Sequence, residues 1–362
     1  MSRARIAVAD DSSFIRRALA RLLADEPGFE VVGLAASGEE LLARFDEWQP
    51  DAVVLDLSMP GMGGLQTLDA LLARRLVPVL ILSTHSRRGA PETIEALHRG
   101  AADFVDKQEY SLVNFKELRQ VLVEKLHLLT GGGGAPRAGG APEPPGAPGI
   151  PVRPAGGAAA GAVPAPAAMP ELLVLGASTG GPPAIERILR DLGGELTVPI
   201  AVVQHMPAAF TRSFAERLDG RLPLSVREAA HHGRLRAGWV YIAPGGLNLV
   251  IEREREALRA VLAAGPETAL HRPSVDALFT SAAQATRGRL VAVLLTGMGC
   301  DGAAAMAELA RGGVHTIAQD RASSIIFGMP RAAIEAGGVL EVLPLERIGP
   351  RLRELLAAAP RG

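Results

Sequence analysis

The sequence predicts an α/β protein made of two doubly wound parallel-sheet domains, and three observations lead there. Short apolar runs alternate with helix-period segments over residues 4–128. A stretch of Gly, Pro and Ala then carries the chain from 131 to about 170. The same alternation resumes and continues to 358. Strands separated by helices imply parallel sheets covered on both faces. At 362 residues the chain exceeds the usual size of one core, which again argues for two domains. The expected division is 1–128, a linker at 129–170, and 171–358.

In the first half the apolar runs are Ile6-Ala7-Val8-Ala9, Glu30-Val31-Val32-Gly33-Leu34, Ala52-Val53-Val54-Leu55, Val77-Pro78-Val79-Leu80-Ile81-Leu82 and Asp103-Phe104-Val105. Helical periodicity separates them, as at 14–23, and closes the unit at 112–129, where Phe115, Leu118, Leu122 and Leu126 share one face. Five parallel strands follow. Polar residues stand where those strands end: Asp10 and Asp11, Asp56, Ser83 and Thr84, and Lys107. Three carboxylates on one rim repel each other unless a cation joins them. Hard oxygen donors suit Mg²⁺, and a metal beside Asp56 would help a phosphoryl group transfer onto its carboxylate. The plainer alternative is a solvated rim of capping aspartates.

These residues resemble the receiver domain of two-component response regulators. The matches are Asp10-Asp11, Leu55-Asp56 followed by Met59-Pro60, the Ser83 hydroxyl, and Gly100-Ala101-Ala102-Asp103-Phe104-Val105-Asp106-Lys107. The resemblance implies a flavodoxin-like five-stranded sheet. It makes Asp56 the phosphoacceptor, has Asp10, Asp11 and Asp56 hold Mg²⁺, lets Ser83 and Lys107 sense the phosphoryl group, and makes Phe104 the aromatic that repacks when Ser83 moves. Two departures bear on the switch: Met62-Gly63-Gly64 lacks the aspartate many receivers carry there, and Gln108 replaces the proline that usually follows the lysine.

After Gly131-Gly132-Gly133-Gly134 the composition offers almost nothing to bury, so 129–170 reads as a linker, flexible at its glycines and stiffer at its prolines. The second half opens on Leu173-Val174-Leu175-Gly176-Ala177-Ser178-Thr179-Gly180-Gly181-Pro182, an apolar run, a small turn holding a hydroxyl, and a proline where a helix starts. This places Ser178 at the carboxyl end of a strand. The loop alone leaves two readings, a nucleophile elbow or an anion-cradling turn; its spacing is neither G-x-G-x-x-G nor a P-loop. A strand ending at His205, a helix at 208–218, strands at Gly238-Trp239-Val240-Tyr241-Ile242-Ala243-Pro244-Gly245-Gly246 and 247–251 joined by a tight turn, a helix after Arg272-Pro273, and strands at 290–295 and 315–320 complete the unit.

Ser178, His205 and Asp301 share one kind of address, just past a strand's carboxyl end and just before a helix. In a parallel sheet such ends lie on one edge, so the three can meet. A serine, an imidazole and a carboxylate are the set required for acyl transfer to water. Each has a plainer alternative: His205 bonded to a backbone carbonyl, Asp301 capping a helix. His271 is the second candidate for the base, His231-His232 sit in a polar stretch, and Cys300 with His205 is a weaker nucleophile pair. No ligand spacing points to zinc.

The second half is similar to the catalytic domain of the chemotaxis protein-glutamate methylesterases. The resemblance runs through Gly176-Ala177-Ser178-Thr179-Gly180-Gly181, Gln204-His205-Met206-Pro207, Phe210-Thr211-Arg212-Ser213-Phe214, Tyr241-Ile242-Ala243-Pro244-Gly245, His271-Arg272-Pro273-Ser274-Val275-Asp276, Leu295-Thr296-Gly297-Met298-Gly299, Asp301-Gly302 and Phe327-Gly328-Met329-Pro330. It implies a Rossmann-like domain with a β-hairpin, Ser178 as nucleophile, His205 as base, Asp301 as its orienting carboxylate, and Thr179 with the Met298 amide at the oxyanion. Expected from it are phosphorylation-activated hydrolysis of glutamate methyl esters on methyl-accepting chemoreceptors, deamidation of receptor glutamines, a histidine kinase as phosphodonor, Mg²⁺ for receiver phosphorylation and no cofactor for ester hydrolysis.

Lys plus Arg (38) nearly balance Asp plus Glu (39), so the chain has no charge footprint for nucleic acid or an anionic membrane. One cysteine, an N-terminus that leads into a strand and apolar runs of strand length suit a soluble cytoplasmic protein without membrane insertion. Two rivals of other classes are a signalling module whose second domain only binds a partner, and a DNA-acting regulator, which would need a basic recognition helix.

Overall fold

A computed structural model describes residues 3–83, 89–107, 115–131, 169–194, 196–265 and 271–357. Thr84, Gln108 and most of the expected linker lie outside them. The chain forms two α/β domains. In the first, β1 (Ala4–Ala9), β2 (Phe29–Ala35), β3 (Ala52–Asp56), β4 (Val79–Ser83) and β5 (Asp103–Asp106) make a parallel sheet in the order β2-β1-β3-β4-β5. Helices α1 (Ser13–Ala24), α2 (Gly38–Trp48), α3 (Gly63–Arg74), α4 (Gly89–Arg99) and α5 (Phe115–Leu129) connect or follow the strands. Buried on both faces, β3 and β4 read as continuous apolar runs for that reason. Ser12 and Ser37 cap α1 and α2 by accepting the Ile15 and Glu40 amides. The strand order reverses between β1 and β3, so Asp10 and Asp56 stand at a topological switch point, where open α/β sheets bind ligands.

The second domain holds β6 (Leu172–Ala177), α6 (Gly181–Leu192), β7 (Ile200–Gln204), α7 (Ala208–Arg221), β8 (Ser225–Glu228), β9 (Gly233–Arg234), β10 (Trp239–Ile242), β11 (Asn248–Glu254), β12 (Ala257–Ala263), α8 (Val275–Thr286), β13 (Leu290–Leu294), α9 (Ala303–Arg311), β14 (His315–Gln319), α10 (Met329–Glu335), β15 (Glu341–Leu343) and α11 (Leu345–Ala357). Its seven-stranded sheet runs β15-β14-β13-β6-β7-β10-β8, all parallel. Here the central strand is β6, with β7 on one side and β13 on the other. The serine elbow therefore opens between the two strands whose ends lead to His205 and to the 296–301 turn.

One expectation is corrected. The segments 239–242 and 248–254 do not form a hairpin with each other: β10 is paired on both edges, to β7 and β8, which leaves no free edge for β11. Past Ile242 the chain leaves the parallel sheet, and β11 instead folds onto β12, an antiparallel pair closed by Arg255-Glu256 with Arg255 at φ 53°. Strand β9 completes this separate three-stranded sheet. Strand β12 and the edge strands β8 and β15 are additions to the elements the sequence predicts.

The domains meet along α4, which lies against α6 and α7, and along α5, whose apolar face shares a cluster with Ile326 and Met298. Among the described residues, no helix is long and apolar enough to cross a membrane.

Candidate active site

The elbow after β6 is held from three directions. The Ser178 amide donates to the Thr296 carbonyl (3.0 Å), and the Gln204 side-chain amide donates to the Ser178 carbonyl (2.9 Å). Thr296 in turn donates its hydroxyl to the Thr179 carbonyl at 2.9 Å. The turn after β13 comes so close that a Cβ on Gly297 would sit 2.8 Å from Ser178 Cβ, so glycine is required there. Met298 follows at once, which puts its backbone beside the elbow. Thr179 is buried, and its hydroxyl donates to Asp103 Oδ2 of the first domain at 2.5 Å.

His205 leaves the end of β7, its amide donating to the Ala177 carbonyl next to Ser178 (3.0 Å). Its Nε2 is 2.8 Å from Asp301 Oδ2. The other ring nitrogen, Nδ1, is buried and has no hydrogen-bond partner among the described residues. Asp301 is further bonded by the Ser274 hydroxyl (3.0 Å) and by the Val275 (2.7 Å) and Asp276 (3.0 Å) amides at the start of α8. Burial alone would raise its carboxyl. The His205 hydrogen bond and charge, with the two amides, outweigh that and hold it far below the usual carboxylate range.

The competing candidates are placed differently. His271 stacks on His205, ring centroids 4.2 Å apart and planes 16° from parallel. Desolvation and the His205 charge lower its pKa from the ordinary value, so it faces His205 as a neutral ring. His231 and His232 pair with each other in the exposed stretch before β9, with His231 Nδ1 accepting the Leu262 amide. Cys300 is exposed.

At the carboxyl edge of the first sheet, oxygens of Asp10, Asp11 and Asp56 lie within 4.8 Å of one another. Lys107 Nζ reaches Asp10 at 2.7 Å and Asp56 at 2.9 Å. Burial raises the Asp10 carboxyl above its usual range, Lys107 opposing and the Asp56 charge adding to the rise. A divalent cation would relieve that repulsion, and an all-oxygen donor set with one exposed member fits Mg²⁺. Ser83 is buried with its hydroxyl against that of Thr93 in α4. Phe104 packs on Phe210 of α7, with ring centroids 4.6 Å apart.

Known proteins give the same two-part division. The family model described as CheB methylesterase matches residues 173–352, and that described as response regulator receiver domain matches 6–121. A protein-glutamate methylesterase/protein-glutamine glutaminase of Geobacillus kaustophilus is 38% identical over 359 residues, covering 98% of this chain and 99% of that one. The chain belongs to this family. A member from Symbiobacterium thermophilum is 40% identical over 345 residues, with 95% and 94% covered. The crystal structure of the Thermotoga maritima CheB methylesterase catalytic domain superposes with a TM-score of 0.50 at 38% identity, covering 51% of this chain and 98% of that one.

Several residues around the site carry little or no signal of their role in the sequence. Asp103 stands in plain view within Gly100-Ala101-Ala102-Asp103-Phe104, but its bond to Thr179 across the domains leaves no trace in that segment. Ser274 and Asp276 carried a local signal, since a serine ahead of an apolar helical run with an acidic first turn marks a helix start. That this start faces Asp301 is tertiary information. Gln204 and Thr296, buried and polar beside the elbow, are explained by the loops they tie together.

Proposed function

We propose that the chain is a phosphorylation-activated hydrolase that demethylates glutamate methyl esters of chemoreceptors, and deamidates receptor glutamines, with Ser178 as nucleophile, His205 as base and Asp301 as its orienting carboxylate. The observation that carries this reading is the His205 imidazole. One nitrogen is committed to an ionised carboxylate, and the other is buried with no hydrogen-bond partner among the described residues, on a residue whose amide bonds to Ala177 beside Ser178. A nitrogen in that state can accept a proton from Ser178 Oγ while Asp301 offsets the resulting positive charge.

The step then balances as follows. Ser178 Oγ attacks the ester carbonyl carbon and its proton passes to His205; the Thr179 hydroxyl and the Met298 amide receive the developing oxyanion. Collapse breaks the bond to the methoxy group, which leaves as methanol with the proton from His205. Water, deprotonated by the same imidazole, attacks the acyl-serine and releases free glutamate. With glutamine the leaving group is ammonia.

In the regulatory half, Asp56 accepts a phosphoryl group from a histidine kinase, Asp10, Asp11 and Asp56 would hold Mg²⁺, and Ser83, Lys107 and Phe104 respond. Held there, the cation would supply charge neutralisation at the acceptor carboxylate. Residues 1–128 and 171–358 are the working units, 129–170 joins them, and the setting is the cytoplasm. The relatives' names and the intact Ser178, His205 and Asp301 set weigh against a second domain that only binds a partner.

The test is methanol release from methylated chemoreceptor membranes, with and without Mg²⁺ and a small phosphodonor. Release by the native chain that rises with the phosphodonor, is abolished by Ser178→Ala, and stays at its basal level in Asp56→Ala is the expected result. Turnover by Ser178→Ala would refute the nucleophile, and a donor response in Asp56→Ala would refute the acceptor.

A further inference from the structure

Two helices of the catalytic domain exchange carboxylates at their N-termini. Asp301, in the turn ahead of α9, accepts the Val275 and Asp276 amides in the first turn of α8 at 2.7 and 3.0 Å. Asp276, within that first turn, returns the arrangement: its Oδ1 accepts the Ala305 amide in the first turn of α9 at 2.9 Å, and the Gly302 amide also bonds to it. First-turn amides have no acceptor in their own helix, and both carboxylates face the positive end of a macrodipole. The two helix starts are in tight contact. At Gly302, where φ is +89°, a Cβ would meet Val275 Cγ1 at 2.6 Å.

This geometry makes the place of Asp301 depend on Asp276. The Asp301 oxygens are held by α8, whereas its backbone enters α9 after one intervening residue, Gly302. Asp276 is the side chain that fixes the start of α9 to the start of α8. Without it, the backbone carrying Asp301 can drift from the amides that aim its carboxylate. Among the described residues, titratable groups beside the pair include His205 from the end of β7, bonded to Asp301; His271 ahead of α8, stacked on His205; and exposed Cys300 before Asp301. Asn248, at the start of β11, accepts the Ser274 amide and is neutral. Burial raises the Asp276 carboxyl above its ordinary range; the Ala305 amide opposes this and the Asp301 charge adds to it.

We propose that Asp276 is a positioning residue for the hydrolysis, acting through Asp301 to hold His205 in the geometry that takes and returns the proton. This rests on the reading of Ser178, His205 and Asp301 as the triad. The experiment compares Asp276→Ala, Asp276→Asn, Asp276→Glu and Asp301→Ala in the full chain, activated with Mg²⁺ and a small phosphodonor. Methanol release from methylated receptor membranes gives kcat, KM and the pH profile, and thermal melts report folding.

Asp276→Ala should lose about ten- to a hundredfold in kcat with KM nearly unchanged, the range seen when a partner behind a functional group is removed. Its kcat/KM acid limb should move down by about one pH unit, because a misaimed carboxylate stabilises the imidazolium less. Asparagine keeps the acceptor for Ala305 and should restore both kcat and the profile. Wild-type kcat and acid limb in a folded Asp276→Ala chain would overturn the proposal. Should that chain not fold, Asp276→Glu decides: its carboxyl is displaced by one methylene, so it should show the same kcat loss, and wild-type behaviour would again overturn the role. Asp301→Ala separates the two levels, since full turnover by that variant would sink the triad itself.

Discussion

The Thr179 hydroxyl, on the residue after the elbow serine, donates at 2.5 Å to Asp103 Oδ2 at the start of β5 in the receiver. Both residues are buried, and the Asp103 carboxylate also holds Lys125 of α5 and the Phe104 amide. The hydroxyl proposed for the oxyanion is thus spoken for by the other domain. While that bond holds, Thr179 cannot turn its hydroxyl to an oxyanion at the elbow, so the interdomain contact would hold the site in a form short of one donor.

Removing that carboxylate should raise basal hydrolysis. A hydrogen bond to a charged group contributes about 1.5–3 kcal/mol, so Asp103→Ala should shift the docked-to-open ratio by about tenfold or more. The measurement is methanol release without phosphodonor. Basal rates equal to the native chain would show that the Asp103 contact does not restrain the enzyme.

Along α4 the ionic restraint is Glu95, which pairs with Arg217 of α7 and with Arg99. Burial and the neighbouring arginines push the His98 imidazole down to about 3, so it faces Glu186 of α6 as a neutral ring and adds no ion pair. Burial would raise the Glu95 carboxyl, but the two arginines outweigh it and lower it, so the pair is charged at neutral pH. Glu95→Gln should therefore raise basal activity severalfold, and added salt should raise it in the native chain more than in the variant. The same salt response in both would place the electrostatic restraint elsewhere.

Much of this was legible in the sequence, and the reason is chemical. Strands buried on both faces must be apolar runs, so β1, β3, β6, β7 and β13 announced themselves, and polar candidates stand where those runs stop. Asp10, Asp56, Ser178 and His205 are legible as candidates on that account. Asp301 was harder, standing several residues beyond β13, and its helix-start partners in α8 could not be inferred from spacing. Illegible for a different reason were β8, β12 and β15, half-exposed segments whose identity depends on the strand they join. Interdomain pairs such as Thr179 with Asp103, or Phe104 with Phe210, leave no local trace in either partner.

Gly297 offers a test of how tightly the elbow is built. A methyl group there would meet Met329 Sδ at 2.3 Å and Ser178 Cβ at 2.8 Å. Overpacking of this kind costs about 1–3 kcal/mol. Because the strain falls on Ser178, the proposed nucleophile, and on the backbone leading to Met298, Gly297→Ala should lower kcat by about a hundredfold or more, well beyond its effect on thermal stability. A folded variant with native kcat would mean that the loop has slack and that the Met298 amide is not held in register with Ser178.

The depressed Asp301 carboxyl also gives a stability signature with a definite sign. Its ordinary value is 3.8, and the folded chain holds it well below that, chiefly because the His205 hydrogen bond outweighs burial. A group lowered by folding stabilises fully above its unfolded value and loses that contribution as pH falls toward its folded value. Asp301→Asn cannot titrate. The native chain should therefore have the higher Tm at pH 5 to 6, about one or two pH units above the unfolded carboxylate range, and the gap should begin to narrow as the pH drops below about 4. A constant gap down to pH 3, about one unit below the ordinary aspartate value, would mean that the partners of Asp301 do not lower its carboxyl, and the imidazolium formed during hydrolysis would then need another counter-charge.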